Sequence, residues 1–343
     1  MNYPPRLRLA HLPTPIHKLE RISAEVGREI YLWRDDLTGF VESGNKVRKL
    51  EFLLAHAMEL GATRIVTAGA AQSNHTRATA YCARRLGLEI SIVVREPKEG
   101  LNPNVPATGN LLLNQLAGAE LRFVSYADYQ KAGSAYQPFL DAEAAAARSR
   151  GERPYVIPAG GSVARGCWGY IFAVEEMLAT WAALGLGSRA PDSLFFAVGS
   201  GGTHAGLHLG YELHGLPTNS LWAVNVSDSA DYFQRRVGEV ISEAAAEFSL
   251  PCQGTRVQVL DGHVGVGYGV ASDDDLRFYA NLARKEGVLL DPVYCGKAFR
   301  GMLAELRRDA ERFGRRILFL HSGGVFANSA FADQFARALA AGS

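Results

Sequence analysis

Residues 193–207 read SLFFAVGSGGTHAGL, an apolar run that passes through a glycine-rich turn into a segment of small residues. A buried strand that leads directly into a helix has this appearance. The same succession recurs along the chain, with helices predicted over 73–86 and 136–150, for example. Strands that alternate with helices predict an α/β protein with parallel sheets covered on both faces. The predicted strands are residues 29–36, 63–69, 89–96, 120–125, 154–160, 193–198, 220–226 and 316–323.

The composition is typical of a globular protein of about two domains. The chain has 343 residues, of which 48% are hydrophobic, and a formal net charge of +1. This balance predicts neither nucleic acid nor an anionic membrane as a partner. No apolar run reaches the ~18 residues of a membrane span, and the opening segment lacks the apolar core of a signal peptide. Four cysteines are scattered without CxxC pairs, so we expect a cytoplasmic protein without a bound metal.

The turn after the strand at 193–198 is a candidate phosphate site. It contains Gly199, Ser200, Gly201, Gly202 and Thr203. The glycines permit a tight turn with outward N–H groups, and the hydroxyls and the positive end of the next helix attract an anion. A Walker A loop would continue with GK[ST], and the dinucleotide fingerprint would place glycine where His204 stands. A purely structural turn is the alternative.

A second junction, IVTAGAAQSNHTRATA at residues 65–80, leads from a buried strand into a helix. Ser73 or Asn74 is a suitable N-cap. With His75, these side chains form a polar cluster beside the free N–H groups of a helix start, which predicts a carboxylate site. A capped helix with no further role is the alternative.

A third junction is SGNKVRKLEFLLAHAMEL, residues 43–60, whose second half has the apolar spacing of an amphipathic helix. Ser43 or Asn45 is the predicted cap. Lys46 then lies at the positive end of the helix with Arg48 and Lys49 nearby, and both features lower the pKa of an ammonium. The pattern predicts a lysine that attacks carbonyl groups, or alternatively three solvated surface cations.

A phosphate site, a carboxylate site and a lysine of lowered pKa together are what a pyridoxal-phosphate enzyme acting on amino acids requires. Six segments, in order, resemble the D-cysteine desulfhydrase and 1-aminocyclopropane-1-carboxylate (ACC) deaminase family of fold type II pyridoxal-phosphate enzymes. The segments are SGNKVRKLEF, AGAAQSNHTRATA, YVIPAGGS, GSGGTHAGL, GVLLDPVYCGKA and LHSGG. The resemblance runs from about residue 8 to 330.

The resemblance implies a homodimer and two domains, each a mostly parallel open sheet flanked by helices. The small domain would span residues 50–158, and the large, cofactor-binding domain would comprise 1–49 and 159–343. No metal is implied. The expected partner is a small amino-acid substrate.

The resemblance also implies roles for the residues at the three junctions. Lys46 matches the lysine that carries the cofactor as a Schiff base and moves the α-proton. Asn74 matches the asparagine beside the 3-hydroxyl of the cofactor. Ser73, Asn74 and His75 match the segment that binds the substrate carboxylate, and Ser73 is also a candidate proton shuttle. The turn at 199–203 matches the phosphate loop.

Four further residues follow from the resemblance. Tyr268 and Tyr294 match active-site tyrosines suited to proton transfer or ring stacking, with core packing as the alternative. Cys295 and Ser322 match the positions that face the pyridine nitrogen, where ACC deaminase-like sequences carry an acid and a leucine. Because both residues are neutral here, the resemblance favours α,β-elimination from a D-cysteine-like amino acid to a 2-oxo acid, ammonia and the leaving group. The alternatives are ACC deamination, (R)-cysteate sulfo-lysis and racemisation.

The segment SVARGCWGY, residues 162–170, departs from the family pattern at Arg165 and Trp168. If Arg165 points into the site, its guanidinium would bind an anionic leaving group. If it points outward, it is a surface charge.

Overall fold

The computed structural model describes residues 3–102 and 106–340. The strands are β1 (Ile16–Lys18), β2 (Glu29–Trp33), β3 (Arg64–Ala70), β4 (Glu89–Arg95), β5 (Glu120–Val124), β6 (Pro154–Ile157), β7 (Ser193–Val198), β8 (Leu221–Asn225), β9 (Gln258–Leu260) and β10 (Arg316–Leu320). The α-helices are α1 (Glu20–Val26), α2 (Asn45–Glu59), α3 (Asn74–Arg85), α4 (Gly109–Leu116), α5 (Tyr126–Lys131), α6 (Gln137–Ser149), α7 (Ala164–Ala183), α8 (Gly202–Leu213), α9 (Ala230–Phe248), α10 (Asp273–Glu286), α11 (Cys295–Arg308) and α12 (Ala332–Ala340).

The strands form two sheets. One has the order β1-β2-β10-β7-β8-β9, and the other has the order β5-β4-β3-β6. All neighbours are parallel except β1 and β2. The α/β class and the eight predicted strands are therefore confirmed. Strands β1 and β9 were not predicted, because a strand of three residues is too short to show a periodic pattern of apolar residues. The domain boundaries remain a prediction, and the one at 49/50 falls within α2.

The central strands of each sheet are buried on both faces, which explains why they read as nearly continuous apolar runs. Successive residues of β7 point to opposite faces. Leu194 and Phe196 join the core that includes α7, α8 and α9, whereas Phe195 joins the core that includes α11. A Cβ on Gly169 of α7 would lie 2.6 Å from the backbone carbonyl carbon of Arg48. Glycine at this position thus allows α7 to pack directly on α2.

The carboxyl ends of parallel strands are where ligands bind in open α/β sheets. In the small sheet, β3 leads into the Ser73 loop. In the large sheet, β7 leads into the glycine turn and β10 leads to Ser322. No helix in the described part of the chain is both long and apolar enough to cross a membrane.

Candidate active site

The loops after β3 and β7 and the first residues of α2, α3 and α8 line a cavity of about 410 Å³. The predicted site residues on its wall are Lys46, Ser73, Asn74, His75, Gly199, Ser200, Gly201, Thr203, Tyr268, Tyr294 and Ser322. Gly202 and Cys295 are not on this wall. The fold thus brings together the three predicted junctions with Tyr268, Tyr294 and Ser322 from the last third of the chain.

Lys46, the second residue of α2, has a lowered pKa, as predicted, but its cause is not the neighbouring cations that the prediction named. Burial alone shifts the pKa of its ammonium from 10.5 to about 8. The predicted contribution of Arg48 was wrong, because this guanidinium is buried in ion pairs with Asp35 at 2.7 Å and Glu176 at 2.8 Å. These carboxylates offset its charge, so Arg48 stabilises the core below the site.

Lys49 lies one turn further along α2 and is also buried. Its Nζ donates to the carbonyl oxygen of Gly160 at 3.2 Å and to Ser162 Oγ at 3.4 Å. Ser162 Oγ in turn donates to Ser200 Oγ at 2.8 Å. Burial lowers the pKa of Lys49, and the charge of Lys46 lowers it further. A second lysine is therefore linked to the hydroxyls of the glycine turn.

The glycine turn forms an open start to α8. Gly201 is the N-cap residue, with φ 88°, and no side chain caps the helix. The N–H of Gly202 donates to Ser162 Oγ at 3.1 Å, which explains why this predicted residue lies behind the wall. The hydroxyls of Ser200 and Thr203 remain on the wall. The arrangement suits an anion that accepts from the turn.

The start of α2 is open in the same way. Gly44 is its N-cap residue and no side chain caps it, so the prediction of Ser43 or Asn45 as the cap was wrong. Asn45 Nδ2 instead donates to Thr203 Oγ1 at 3.1 Å, which joins the starts of α2 and α8. A Cβ on Gly44 would lie 2.9 Å from the carbonyl oxygen of Ser322, so a side chain has no room there.

The start of α3 is closed by side chains, as predicted. Ser73 Oγ accepts the N–H of Thr76 at 3.3 Å, which confirms Ser73 as the N-cap. The hydroxyl hydrogen of Ser73 is left for another acceptor. Asn74 Oδ1 accepts from Asn110 Nδ2 at 2.8 Å, so the amide oxygen of Asn74 is occupied. Its Nδ2 then presents two donors to the cavity wall.

His75 has a defined tautomer. Thr67 Oγ1 donates its hydrogen to the carbonyl oxygen of Ile157 at 2.7 Å. The same oxygen therefore accepts Nε2–H of His75 at 2.9 Å. Burial lowers the pKa of His75 well below 6.5, and the charges of Lys46 and Lys49 lower it further. The imidazole is thus neutral, and the backbone N–H of His75 is the donor suited to a carboxylate.

The two predicted tyrosines contact each other on the opposite wall. Tyr268 Oη lies 2.5 Å from Tyr294 Oη. Burial raises the pKa of both phenols, and their mutual hydrogen bond partly offsets the rise for Tyr268. A Cβ on Gly199 would lie 3.0 Å from the ring of Tyr294, which places this ring against the glycine turn. The pair can donate a proton into the cavity.

Cys295 lies just behind Ser322. Cys295 Sγ is 3.2 Å from Ser322 Oγ and 3.4 Å from the carbonyl oxygen of Gly323. Burial raises the pKa of the Cys295 thiol well above its ordinary value, and the charge of Asp291 adds to the rise. The pair is therefore uncharged.

Sequence reasoning missed Arg95, Lys49 and Ser162. Arg95 is the last residue of β4 and lies on the cavity wall. The sequence does contain a signal for Arg95, because this charged residue lies at the end of a predicted buried strand, at the edge of the sheet where ligands bind. Lys49 and Ser162 gave no such signal, since only the packing of α2 against the loop after β6 brings them together.

Arg165 and Trp168 do not line the cavity. The guanidinium of Arg165 pairs with Glu247 at 3.5 Å and lies over the ring of Phe248 at 5.3 Å. Trp168 is fully buried and contacts the edge of the Phe248 ring at 5.5 Å between centroids. The hypothesis that Arg165 enters the site was therefore wrong.

The family model for pyridoxal-phosphate-dependent enzymes matches residues 7–323. The chain belongs to this family. Its cofactor is accordingly pyridoxal phosphate, as predicted.

Individual relatives cover nearly the whole chain. A D-cysteine desulfhydrase of Yersinia enterocolitica is 39% identical over 332 residues, which is 96% of this chain and 97% of the relative. A mitochondrial bifunctional D-cysteine desulfhydrase/ACC deaminase of Arabidopsis thaliana is 38% identical over 337 residues, or 96% of this chain and 80% of the relative. A solved structure described as an ACC deaminase homologue has a TM-score of 0.85 and 32% identity, covering 98% of this chain and 96% of its own. These similarities confirm the predicted family and the fold type II architecture.

Proposed function

We propose that this pyridoxal-phosphate-dependent enzyme is a lyase that catalyses α,β-elimination from a small, D-cysteine-like amino acid. The products are a 2-oxo acid, ammonia and the leaving group. The observation that carries the proposal is the uncharged contact between Cys295 and Ser322. The desulfhydrase activity named for the Yersinia relative supports the same reaction.

The cofactor fits the residues present. Lys46 supplies an amine of lowered pKa, suited to attack an aldehyde. The open start of α8, with the hydroxyls of Ser200 and Thr203, supplies donors for a phosphate, and the buried Lys49 contacts this turn only through Ser162. When bound, pyridoxal phosphate supplies an electrophilic carbonyl and an electron-withdrawing ring.

The start of α3 binds the substrate carboxylate in this proposal. Its donors are the hydroxyl of Ser73, Nδ2 of Asn74 and the backbone N–H of His75. The helix dipole adds to their attraction for an anion. The neutral state of the His75 imidazole keeps a second cation away from Lys46, which helps to keep the lysine amine available.

Proton transfer falls to two groups on opposite walls. Neutral Lys46 Nζ accepts the α-proton, since its pKa of about 8 is close to a working pH. The hydrogen-bonded hydroxyls of Tyr268 and Tyr294 protonate the leaving group at Cβ. Their raised pKa values keep them protonated until that step.

The neutral Cys295–Ser322 pair is the feature that favours elimination over opening of the cyclopropane ring. An acid near the ring nitrogen would strengthen the electron sink that cleavage of a cyclopropane requires. In elimination, the departing group at Cβ takes the electrons at once, so a neutral partner suffices. ACC deamination is the second candidate, because the name of the Arabidopsis relative includes it.

The test compares purified wild-type protein with the Lys46→Ala variant. We expect the wild type to absorb near ~410–430 nm and to convert D-cysteine to pyruvate and sulfide without converting ACC. The variant should lose that absorbance, and its kcat/KM should fall by about 10²–10⁴-fold, the range for a lost general base. Formation of 2-oxobutyrate from ACC at a comparable rate would contradict the proposal. Formation of L-cysteine without sulfide would indicate a racemase.

We also propose that the protein is a cytoplasmic homodimer. The described cysteines are all unpaired, which fits a reducing compartment. The dimer rests on the resemblance to the family. Light scattering coupled to size-exclusion chromatography tests it, and a mass of 37.1 kDa, that of one chain, would contradict it.

A further inference from the structure

Arg95 presents a guanidinium to the cavity from the carboxyl end of β4. Three tyrosine rings hold it, since its Cζ lies 5.3 Å from the centroid of Tyr129, 5.6 Å from Tyr126 and 5.8 Å from Tyr268. Contacts of this kind orient a guanidinium by cation–π attraction without neutralising its charge.

No carboxylate within the described residues pairs with Arg95 at 4.0 Å or less. Arg64, at the opposite end of the same sheet, has two such partners, Glu120 at 2.9 Å and Glu152 at 2.7 Å. The acidic residue on the cavity wall is Asp228, which is exposed and accepts the N–H of Ser229 at 2.8 Å. The charge of Arg95 is therefore left for a ligand.

Arg95 also lies beside the proposed carboxylate site. Strand pairing places it opposite Ala70, and the N–H of Ser73 donates to the carbonyl oxygen of Ala70 at 2.9 Å. Adjacent strands are ~4.8 Å apart, so one small molecule can reach both groups. On its other side Arg95 contacts Tyr268, whose hydroxyl bonds to Tyr294. The guanidinium thus faces the region where a group leaving Cβ would lie.

We infer that Arg95 selects amino acids whose Cβ substituent carries an anionic oxo group, such as a sulfate ester or a sulfonate. A guanidinium binds such oxygens through paired N–H donors. The inference rests on the proposed elimination. With serine O-sulfate, Lys46 takes the α-proton and the Cβ–O bond breaks with both electrons passing to sulfate. Water then converts the resulting 2-aminoacrylate to pyruvate and ammonia.

The first experiment measures binding without turnover. Calorimetry on the holoenzyme compares 3-sulfopropanoate with butanoate, which is of similar length but ends in a methyl group. We expect the sulfonate to bind at least about tenfold more tightly to the wild type. The preference should fall to about twofold or less in Arg95→Leu and be partly restored in Arg95→Lys. The control Arg165→Leu, whose guanidinium pairs with Glu247 away from the cavity, should keep the full preference.

The second experiment measures the ratio of kcat/KM for serine O-sulfate to that for O-acetylserine, using both enantiomers. We expect Arg95→Leu to lower this ratio about tenfold or more, mainly through KM for the sulfate. A purely structural role would lower both values alike, and Arg95→Lys excludes simple misfolding. Equal binding of the two acids, or a preference that survives in Arg95→Leu, would overturn the inference while elimination stands. A sulfonate preference without elimination from either serine ester would refute the proposed reaction and leave the anion site standing.

Discussion

Two of the helices that begin at the cavity wall, α3 and α8, begin differently. The start of α3 is capped by Ser73, whose Oγ accepts the N–H of Thr76. The start of α8 has Gly201 as its N-cap residue, which has no side chain to accept an N–H, and the N–H of Gly202 donates to Ser162 Oγ from a separate loop. Every helix N-terminus leaves N–H groups that need acceptors. At α3 the N-cap residue itself supplies one, whereas at α8 the N-cap residue supplies none and the N–H groups beyond Gly202 are open to an external anion.

The surroundings of the two starts differ accordingly. Beside α8, Ser162 reaches the turn from another loop, and the buried Lys49 of α2 bonds to Ser162. Beside α3, His75 and Asn74 are held by Thr67 and Asn110. The difference teaches that a helix start without a cap from its own N-cap residue suits a tightly bound anion, whereas a capped start keeps its shape and uses its remaining donors to select a substrate.

The largest expected effect comes from displacing Ser162, which holds the start of α8. A Cβ at position 202 would lie 2.7 Å from Ser162 Oγ and 2.8 Å from Ser162 Cα. Because Ser162 cannot yield without moving its backbone, Gly202→Ala should weaken pyridoxal phosphate binding by about 100-fold, or ~2.7 kcal/mol. Titration of the apoprotein, followed by absorbance, measures this affinity.

The matched control for this experiment is Gly254→Ala. A Cβ at that position meets nothing within 4 Å, so cofactor affinity should not change. Wild-type affinity in the Gly202→Ala variant would show that α8 does not bind the phosphate.

The capped start should respond to Ser73→Ala in two ways. The free energy of unfolding should fall by ~1 kcal/mol because the cap is lost. The value of kcat/KM should fall by about 10²-fold because the hydroxyl that faces the substrate is also lost. Cofactor affinity should stay near that of the wild type, because the proposed phosphate site is at α8. Chemical denaturation and steady-state kinetics measure these changes. A kcat/KM of Ser73→Ala within about twofold of the wild-type value would show that Ser73 acts only as the N-cap of α3.

Lys46 lies at the open start of α2, and the pH dependence of cofactor attachment tests its role as the attacking amine. Below the pKa of about 8 the amine is mostly protonated. The rate of cofactor attachment to apoprotein should therefore rise about tenfold per pH unit up to that value and then level off. Stopped-flow absorbance measures this rate. A rate that keeps rising toward pH 10 would mean that burial has not lowered this pKa.

The smallest effect on activity is expected at a cap remote from the cavity. Ser272 caps α10 in a capping box with Asp275. Ser272→Ala should lower the free energy of unfolding by ~1 kcal/mol, as Ser73→Ala does, and leave kcat/KM unchanged. Together the two variants separate the structural part of a serine cap from its functional part. If Ser272→Ala lowered kcat/KM as much as Ser73→Ala, the loss of activity at Ser73 could not be assigned to a functional role of its hydroxyl.

Local patterns in the sequence predicted much of the fold. Apolar runs such as 193–198 predicted strands, since a strand buried on both faces needs apolar residues throughout. Ser73 predicted a cap because its short hydroxyl reaches the backbone of its own helix. Gly44 was missed as the cap of α2, because the reason for glycine there is the carbonyl oxygen of Ser322, far along the chain.

The sequence by itself determined the α/β class, the strand-to-helix junctions that form the cavity and the Ser73 cap of α3. Each of these depends on residues close together in the chain. Only the tertiary structure decided that Arg48 is neutralised by Asp35 and Glu176, that Lys49 reaches Ser162, and that Arg95 faces the cavity without a carboxylate partner among the described residues. Charge and burial act through space, so their outcome depends on which distant segments the two sheets bring together.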